Sequence, residues 1–241
     1  MKIAAIPICL LLCGVAAGYG GSFTNLLAPT YDVASGNIEL SVDHRFFGAA
    51  FKDDPLDSFF GMDDGANVAL SVRYFAANEF YVGYEHKRLG HVHTLLGGWQ
   101  NILPSMTFEF SALAGYKSVK FSSNEDRESG MIATGSISAW FLNGKFRPVF
   151  NYSFDGYQDE SGMGFGLELS ATENISLLGE YFPSAGEGDE EDCFSFGCRY
   201  TTWGHQFNFS LSNSSGIGSR DMIMGTSDGD LSVSMGIKRL I

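Results

Sequence analysis

Positive charge is in short supply. The 241 residues hold 15 Lys and Arg against 28 Asp and Glu, a net charge of -13. A nucleic-acid binder needs a basic face to meet phosphates, so that class is excluded. Charged residues of both signs make up only 18% of the chain, which is low for a surface wetted all round. Cysteine is scarce too, with 4 in all, and Cys9 and Cys13 fall in the apolar N-terminal run. Cys193 and Cys198 are separated by an odd spacing. On one continuous strand they would point to opposite faces, with α-carbons ~16 Å apart and beyond disulfide reach. Two free thiols are expected, a loop disulfide is the alternative if the chain bends sharply between them, and neither pattern suggests zinc. Long apolar runs are also missing. After residue 18 no stretch approaches the ~20 residues a membrane-spanning helix needs.

Aromatic residues and glycine are abundant: 21 Phe, 10 Tyr and 30 Gly, with 44% hydrophobic residues overall. That content excludes disorder. The N-terminus carries a short basic start, Met1-Lys2, an apolar run from Ile3 to Val15 and the small residues Ala16-Ala17-Gly18. This is the layout of a secretory signal peptide, residues 1–18, cleaved near Gly18 or Tyr19. Leu10-Leu11-Leu12 before Cys13 puts a bulky residue where lipid-attachment signals carry Gly or Ala. The exported chain is then either soluble or crosses a membrane as strands, for which a closed barrel is the alternative to helices.

Period two dominates the rest. Ile38, Leu40, Val42 and Phe46 alternate with Glu39, Ser41, Asp43 and Arg45. Val68, Leu70, Val72 and Tyr74 alternate with Asn67, Ala69, Ser71 and Arg73, and Phe80, Val82 and Tyr84 with Tyr81, Gly83, Glu85 and Lys87. Each pattern is a strand with one apolar face. A less regular segment, His91 to Asn101, follows. Further alternations centre on Phe110, Ile137, Phe150, Phe165, Leu177, Phe196, Phe209 and Val233, making twelve candidate strands. Every second connection is short: Phe75 to Asn78, Ile102 to Pro104, Leu142 to Lys145, Thr172 to Asn174, and the turn at Trp203-Gly204-His205. Asn143-Gly144 is a strong tight-turn signal. The others are mostly longer: Gly48 to Ala66, Lys117 to Gly130, Gly156 to Gly162, Pro183 to Asp192 and Asn213 to Asp230, with Arg88 to Gly90 the short exception. Short turns at one end and long loops at the other is the outer-membrane barrel arrangement, with short turns and both termini on the periplasmic side. The apolar parity is rich in Phe, Leu, Val and Tyr and suits lipid. The other parity is rich in Ser, Gly, Asn, Thr and mixed charges and suits a lumen.

Three segments carry a resemblance: Asp43-His44-Arg45-Phe46-Phe47-Gly48, Phe59-Phe60-Gly61-Met62-Asp63-Asp64-Gly65-Ala66-Asn67 and Tyr81-Val82-Gly83-Tyr84. Together they resemble a domain-of-unknown-function family of bacterial outer-membrane-type β-barrels, over about residues 37–116. The resemblance implies a membrane barrel and no established activity. The chain ends Arg239-Leu240-Ile241, without the terminal aromatic usual in such barrels.

The polar parity assigns a set of charges to the lumen: Glu39, Asp43, Arg45, Arg73, Glu85, Lys87, Glu109, Arg147, Asp155, Glu168, Glu180, Arg199 and Lys238. Near-balanced charge of this kind either braces a narrow barrel as a paired network or forms a constriction that selects solutes. Cross-strand ion pairs among Glu39, Asp43, Arg45, Arg73, Glu85 and Lys87 are geometrically easy, with Arg45 and Lys87 near the long-loop end, Arg73 on the polar parity of the second strand, and the three carboxylates on the same faces. His91-Val92-His93 puts two imidazoles on one strand face, short of a complete metal set. His44 and His86 share the lipid-facing parity. Acidic pairs in the long connections, Asp53-Asp54, Asp63-Asp64, Glu125-Asp126, Asp159-Glu160 and the run from Glu187 to Asp192, make divalent cations candidate partners there. Gly216-Ile217-Gly218 lacks a following helix and Lys, so phosphate binding is not supported.

The sequence therefore predicts an all-β, up-and-down antiparallel transmembrane barrel of about twelve strands over residues 37–241. Residues 1–18 are the leader. Residues 19–36 are expected inside the lumen or in the periplasm. The expected location is the outer membrane, with the lipid bilayer as partner, no nucleic acid and no cofactor. The expected function is a passive or selective channel for small polar solutes rather than an enzyme. Alternatives are a closed structural or surface-interaction barrel and, less favoured, a membrane-embedded hydrolase.

Overall fold

A computed structural model describes residues 23–30, 33–52, 54–102, 108–122, 124, 126–186, 190–227 and 229–241. The expected leader lies outside the described residues. Among them, twelve strands form one closed antiparallel barrel. They are β1 (Ile38–Phe46), β2 (Ala66–Ala77), β3 (Phe80–Lys87), β4 (Val92–Ile102), β5 (Phe108–Val119) and β6 (Glu128–Ala139), then β7 (Phe146–Asp155), β8 (Glu160–Ser170), β9 (Ile175–Phe182), β10 (Cys193–Thr201), β11 (His205–Ser212) and β12 (Ser232–Leu240). Each strand pairs with its sequence neighbours, and β1 closes the ring on β12 through Glu39↔Leu240 to Arg45↔Ser234. One short helix, α1 (Ser219–Met222), lies in the β11–β12 connection.

The barrel is inside out relative to a protein in water. Leu70, Val82 and Leu95 on the outer parity are 49%, 57% and 65% exposed, whereas inward Glu39 and Arg147 are 1% and 0% exposed. Register explains the continuity of the outer face: Val42 lies opposite Leu70 on one side and Ile237 on the other, while inward Ser41 lies opposite Ser71 and Lys238. An apolar belt running right round the molecule far exceeds the few hundred Å² tolerated on soluble monomers. Aromatic residues collect at its two margins. Tyr74, Phe80, Phe108, Phe141, Tyr200 and Trp203 are exposed toward the short-turn end, and Tyr116, Tyr152, Tyr181 and Phe194 toward the other. Such girdles sit at the membrane–water boundary.

The connections depart from expectation in two places. The β7–β8 connection is only the turn Gly156–Asp159, because the ladder continues through Phe154↔Ser161 and Asp155↔Glu160. β5 and β6 likewise run on through Lys117↔Gly130 and Val119↔Glu128, so residues expected in loops are strand. Polar residues beyond the apolar belt still satisfy their backbone groups by pairing. The motifs behind the resemblance meet in the β1–β2 connection. A Cβ at Gly48 would collide with the Gly61 carbonyl oxygen, and Gly61 itself has φ of 76°. Only glycine permits that crossing.

Candidate functional site

The wall of the lumen carries a layered set of charges. Arg45, Lys87, Glu109, Arg147, Asp155, Glu168, Glu180, Arg199 and Lys238 are buried inside the barrel, as is Glu39. Asp43, Arg73 and Glu85 line an internal cavity of about 80 Å³, room for two or three waters. Toward the short-turn end, Arg147 joins two carboxylates: Nη2 is 3.0 Å from Glu168 and Nη1 is 3.5 Å from Glu109. Arg199 also contacts Glu168, which accepts from Ser176 at 2.8 Å. Glu109 accepts from Ser138 at 2.7 Å and from the Trp140 indole at 2.9 Å. Arg73 lies 3.3 Å from Glu39. At the long-loop end Lys117 is 2.5 Å from Asp155, and Lys87 is 3.6 Å from Glu85. Buried charges are tolerable only when paired in this way. Lys117, expected in a loop, continues the polar parity of β5; with it, positive and negative wall charges are equal in number.

Two chain segments fill this lumen. The first runs down the axis from Phe23, near the long-loop half, to Thr30, near the short turns. The Asn25 backbone and side-chain amides donate to Glu180 at 2.8 Å each, and the Leu26 amide donates to it at 3.1 Å. Arg45 donates to the side-chain carbonyl oxygen of Asn25 at 2.8 Å. Asn151 brackets Leu27, accepting from its N–H at 2.7 Å and donating to its carbonyl at 2.9 Å; Gln100 brackets Thr30 in the same way at 2.9 Å. An extended peptide inside a barrel cannot join the ladder, so its backbone groups find side-chain amides instead. Phe23 and Leu26 also pack with Val149, Leu178 and Phe182.

The wall is shaped for this segment. On the inward face of β8, a Cβ at Gly166 would collide with Leu26 and stand 2.9 Å from Phe23, and one at Gly164 would stand 2.7 Å from Leu26. The consecutive inward glycines form a track for the two apolar side chains. Gly162-x-Gly164-x-Gly166 on the polar parity is the sequence signal that could have revealed it.

The second segment is the β11–β12 connection, which folds inward around α1. Lys87 clasps it, donating to Asp221 at 2.7 Å and to the Ile217 carbonyl at 2.6 Å. Burial acts to raise the Asp221 carboxyl, but Lys87 and Lys117 outweigh it and hold it below the ordinary carboxylate range. The clasp therefore keeps its charges at neutral and mildly acidic pH. Met222 and Ile223 complete the apolar cluster around Phe23.

Arg73, inward on β2 as expected, and the histidines and cysteines complete the candidate set. Arg73 lies toward the short-turn end, beside Glu39, because β2 runs from Ala66 at the long-loop end to Ala77. His91 belongs to a turn, Leu89–His91, with φ of 40°, so it does not share a strand face with His93. His93 instead faces His86 on β3. Cys193 is buried in the apolar cluster, and both it and Cys198 are free thiols. Among the described residues no three His, Cys, Asp or Glu side chains gather into a metal site. Of the acidic loop residues, Asp53, Glu125, Glu187 and Asp189 lie outside the described residues.

A closed antiparallel barrel with an apolar belt, aromatic margins and a charged interior is a transmembrane β-barrel. A family model described as "Membrane bound beta barrel domain (DUF5777)" matches residues 138–234, downstream of the motifs around Arg45 and Gly61. Among solved structures the chain is similar to the KdgM porin, with a TM-score of 0.54 and 9% identity over 84% of this chain and 98% of that one. The KdgM porin in complex with disordered oligogalacturonate gives a TM-score of 0.52 and 12% identity over the same shares. Omp33, an outer membrane protein of Acinetobacter baumannii, gives 0.49 and 9% over 86% and 98%. At such identities the likeness to the KdgM porin shows a shared fold alone. No curated protein sequence matches the chain.

Proposed function

We propose that this protein is a gated channel of the bacterial outer membrane for small polar solutes, with the segment around Phe23–Thr30 as its gate. In this reading residues 1–18 are a leader removed on export, the short turns face the periplasm and the long loops face outside. The observation that carries it is the division of bonding in the lumen. The wall's ion pairs, Arg147–Glu168, Arg147–Glu109, Arg199–Glu168, Arg73–Glu39 and Lys117–Asp155, join wall to wall. Glu180 and Arg45 are the wall charges that bond Asn25 and Leu26; withdrawal of the segment leaves the wall-to-wall pairs intact and exposes those two charges, with hydroxyls and amides, to water that can serve them. A polar wall with buried hydroxyls such as Thr94, Ser111 and Ser136 suits a wet conduit rather than a dry core. Balanced wall charge favours solutes without strong charge preference.

A second reading, a permanently closed structural barrel, has the glycine track in its favour. Burying a Phe and a Leu contributes roughly 1.5–3 kcal/mol each, so the segment is firmly seated. Single-channel recording in planar bilayers separates the two. Deleting residues 19–35 is expected to give steady conductance where the parent is mostly silent, and shortening residues 216–226 as well is expected to enlarge it. A folded deletion variant without conductance would favour the closed barrel.

A further inference from the structure

The outer face carries one side-chain arrangement that the lumen does not explain. His86 is next to last in β3 and His93 is second in β4, and the two are direct cross-strand partners. Their ring centroids are 4.6 Å apart, and both are half-exposed on the lipid-facing parity at the long-loop rim. Each ring has one nitrogen engaged. His86 Nδ1 lies 3.0 Å from the Val92 carbonyl oxygen. A carbonyl can only accept, so this Nδ1 carries the proton and Nε2 of the neutral ring presents a lone pair. His93 Nδ1 lies 2.6 Å from the Tyr84 hydroxyl, and the tautomer in which Nδ1 donates to the phenol oxygen leaves its Nε2 with a lone pair as well. Orienting a histidine by a hydrogen bond at its far nitrogen is the arrangement that prepares it as a metal ligand.

The chemistry decides what such a pair can hold. In that tautomer two Nε2 lone pairs offer no N–H, an arrangement that suits a cation and not a phosphate. Imidazole nitrogens do suit borderline divalent ions such as Zn²⁺, Ni²⁺ and Cu²⁺. The nearby guanidinium of Arg127 is turned to the His91 carbonyl and the Ser118 hydroxyl, at 3.3 Å each. We infer that His86 and His93 form a two-point binding site for a divalent transition-metal ion at the outer rim, with water completing the coordination. Two protein ligands fall short of the four of a structural zinc site, so the ion is exchangeable. The site lies on the opposite face of the wall from the lumen and does not rest on the channel reading.

The test is a calorimetric titration of Zn²⁺ into the tag-free full-length barrel in detergent near neutral pH. About one equivalent is expected to bind in a single class, as the bidentate pair allows. His86→Ala and His93→Ala should each abolish that class. Tyr84→Phe should weaken it by roughly 10–100-fold, the usual effect of removing an orienting partner. His44→Ala, on the same outer parity but outside the pair, should leave it unchanged. Heat-modifiable gel mobility checks that each variant is folded, and His93→Gln replaces any alanine variant that is not. Absence of Zn²⁺ binding by the folded parent, or binding that survives in a folded His93 variant because it resides in the acidic loops, would overturn the proposal.

Discussion

Arg147 shows how a single residue organises the lumen. Its guanidinium bridges Glu109 and Glu168 and lies 5.2 Å from the Phe23 ring and 4.9 Å from the Trp140 ring. Removing one partner of a buried charge network costs more than the network itself contributes, because the remaining charges stay in a low-dielectric site. Arg147→Met is expected to lower barrel stability by ~3 kcal/mol, the low end of the range for such losses, since Arg199 still serves Glu168. Denaturant unfolding followed by heat-modifiable mobility would measure it, and adding Glu109→Gln should recover part of the loss. Residue-scale logic reverses on the outside. Leu70 sits near mid-strand among Val42 and His86 on the outer face. Leu70→Arg is expected to impair membrane assembly, because an exposed cation there faces hydrocarbon, at a cost that is about 2–4 kcal/mol at the midplane and falls toward the His86 rim. Ser41→Ala, one strand over and inward, loses only the 2.7 Å bond to Ser71 and should assemble normally. Equal assembly of the two variants would contradict the assignment of faces.

At the scale of elements, the glycine track of β8 makes the sharpest claim. Gly166→Leu would place side-chain atoms where Leu26 and Phe23 now sit, so it should evict the axial segment without disturbing the strand ladder. Limited proteolysis with mass mapping is expected to cut near Phe23–Thr30 in that variant and to spare those residues in the parent; equal protection in both would show the segment to be seated otherwise. Strands and their faces were legible in the sequence because alternation is written residue by residue, as in Glu39, Ser41, Asp43 and Arg45 against Leu40, Val42 and His44. The Asn143-Gly144 turn was legible because both residues adopt positive φ, 55° and 79°. Strand ends were not: Lys117 read as loop because its pairing with Gly130 is decided by a partner far along the chain. The axial segment was least legible. Phe23 to Thr30 has no period, and its partners, Asn151, Gln100 and Glu180, lie on three separate strands. His86 and His93 were each visible, but their pairing depends on the register across the Arg88–His91 turn.

The whole molecule combines a barrel complete in its own hydrogen bonding with an interior stopper held by side chains. Ladder bonds and wall ion pairs fix the barrel. Asn25, Leu26, Leu27 and Thr30 hold the stopper through separate contacts, about 0.5–1.5 kcal/mol for each bond to Asn151 or Gln100 and about 1.5–3 kcal/mol for each to the charged Glu180 or Arg45. In the proposed gate, this difference in bonding is what would let one part move while the other stays. The most direct test is to lock the stopper in place. Leu26→Cys and Gly166→Cys, introduced together with Cys193→Ser and Cys198→Ser, put thiols where side chain and track now meet. Single-channel recordings in planar bilayers would then compare the oxidised and reduced barrel. Silence under oxidation, with openings that appear on adding reductant, is the predicted result. Openings of equal size and frequency in both states would contradict the account.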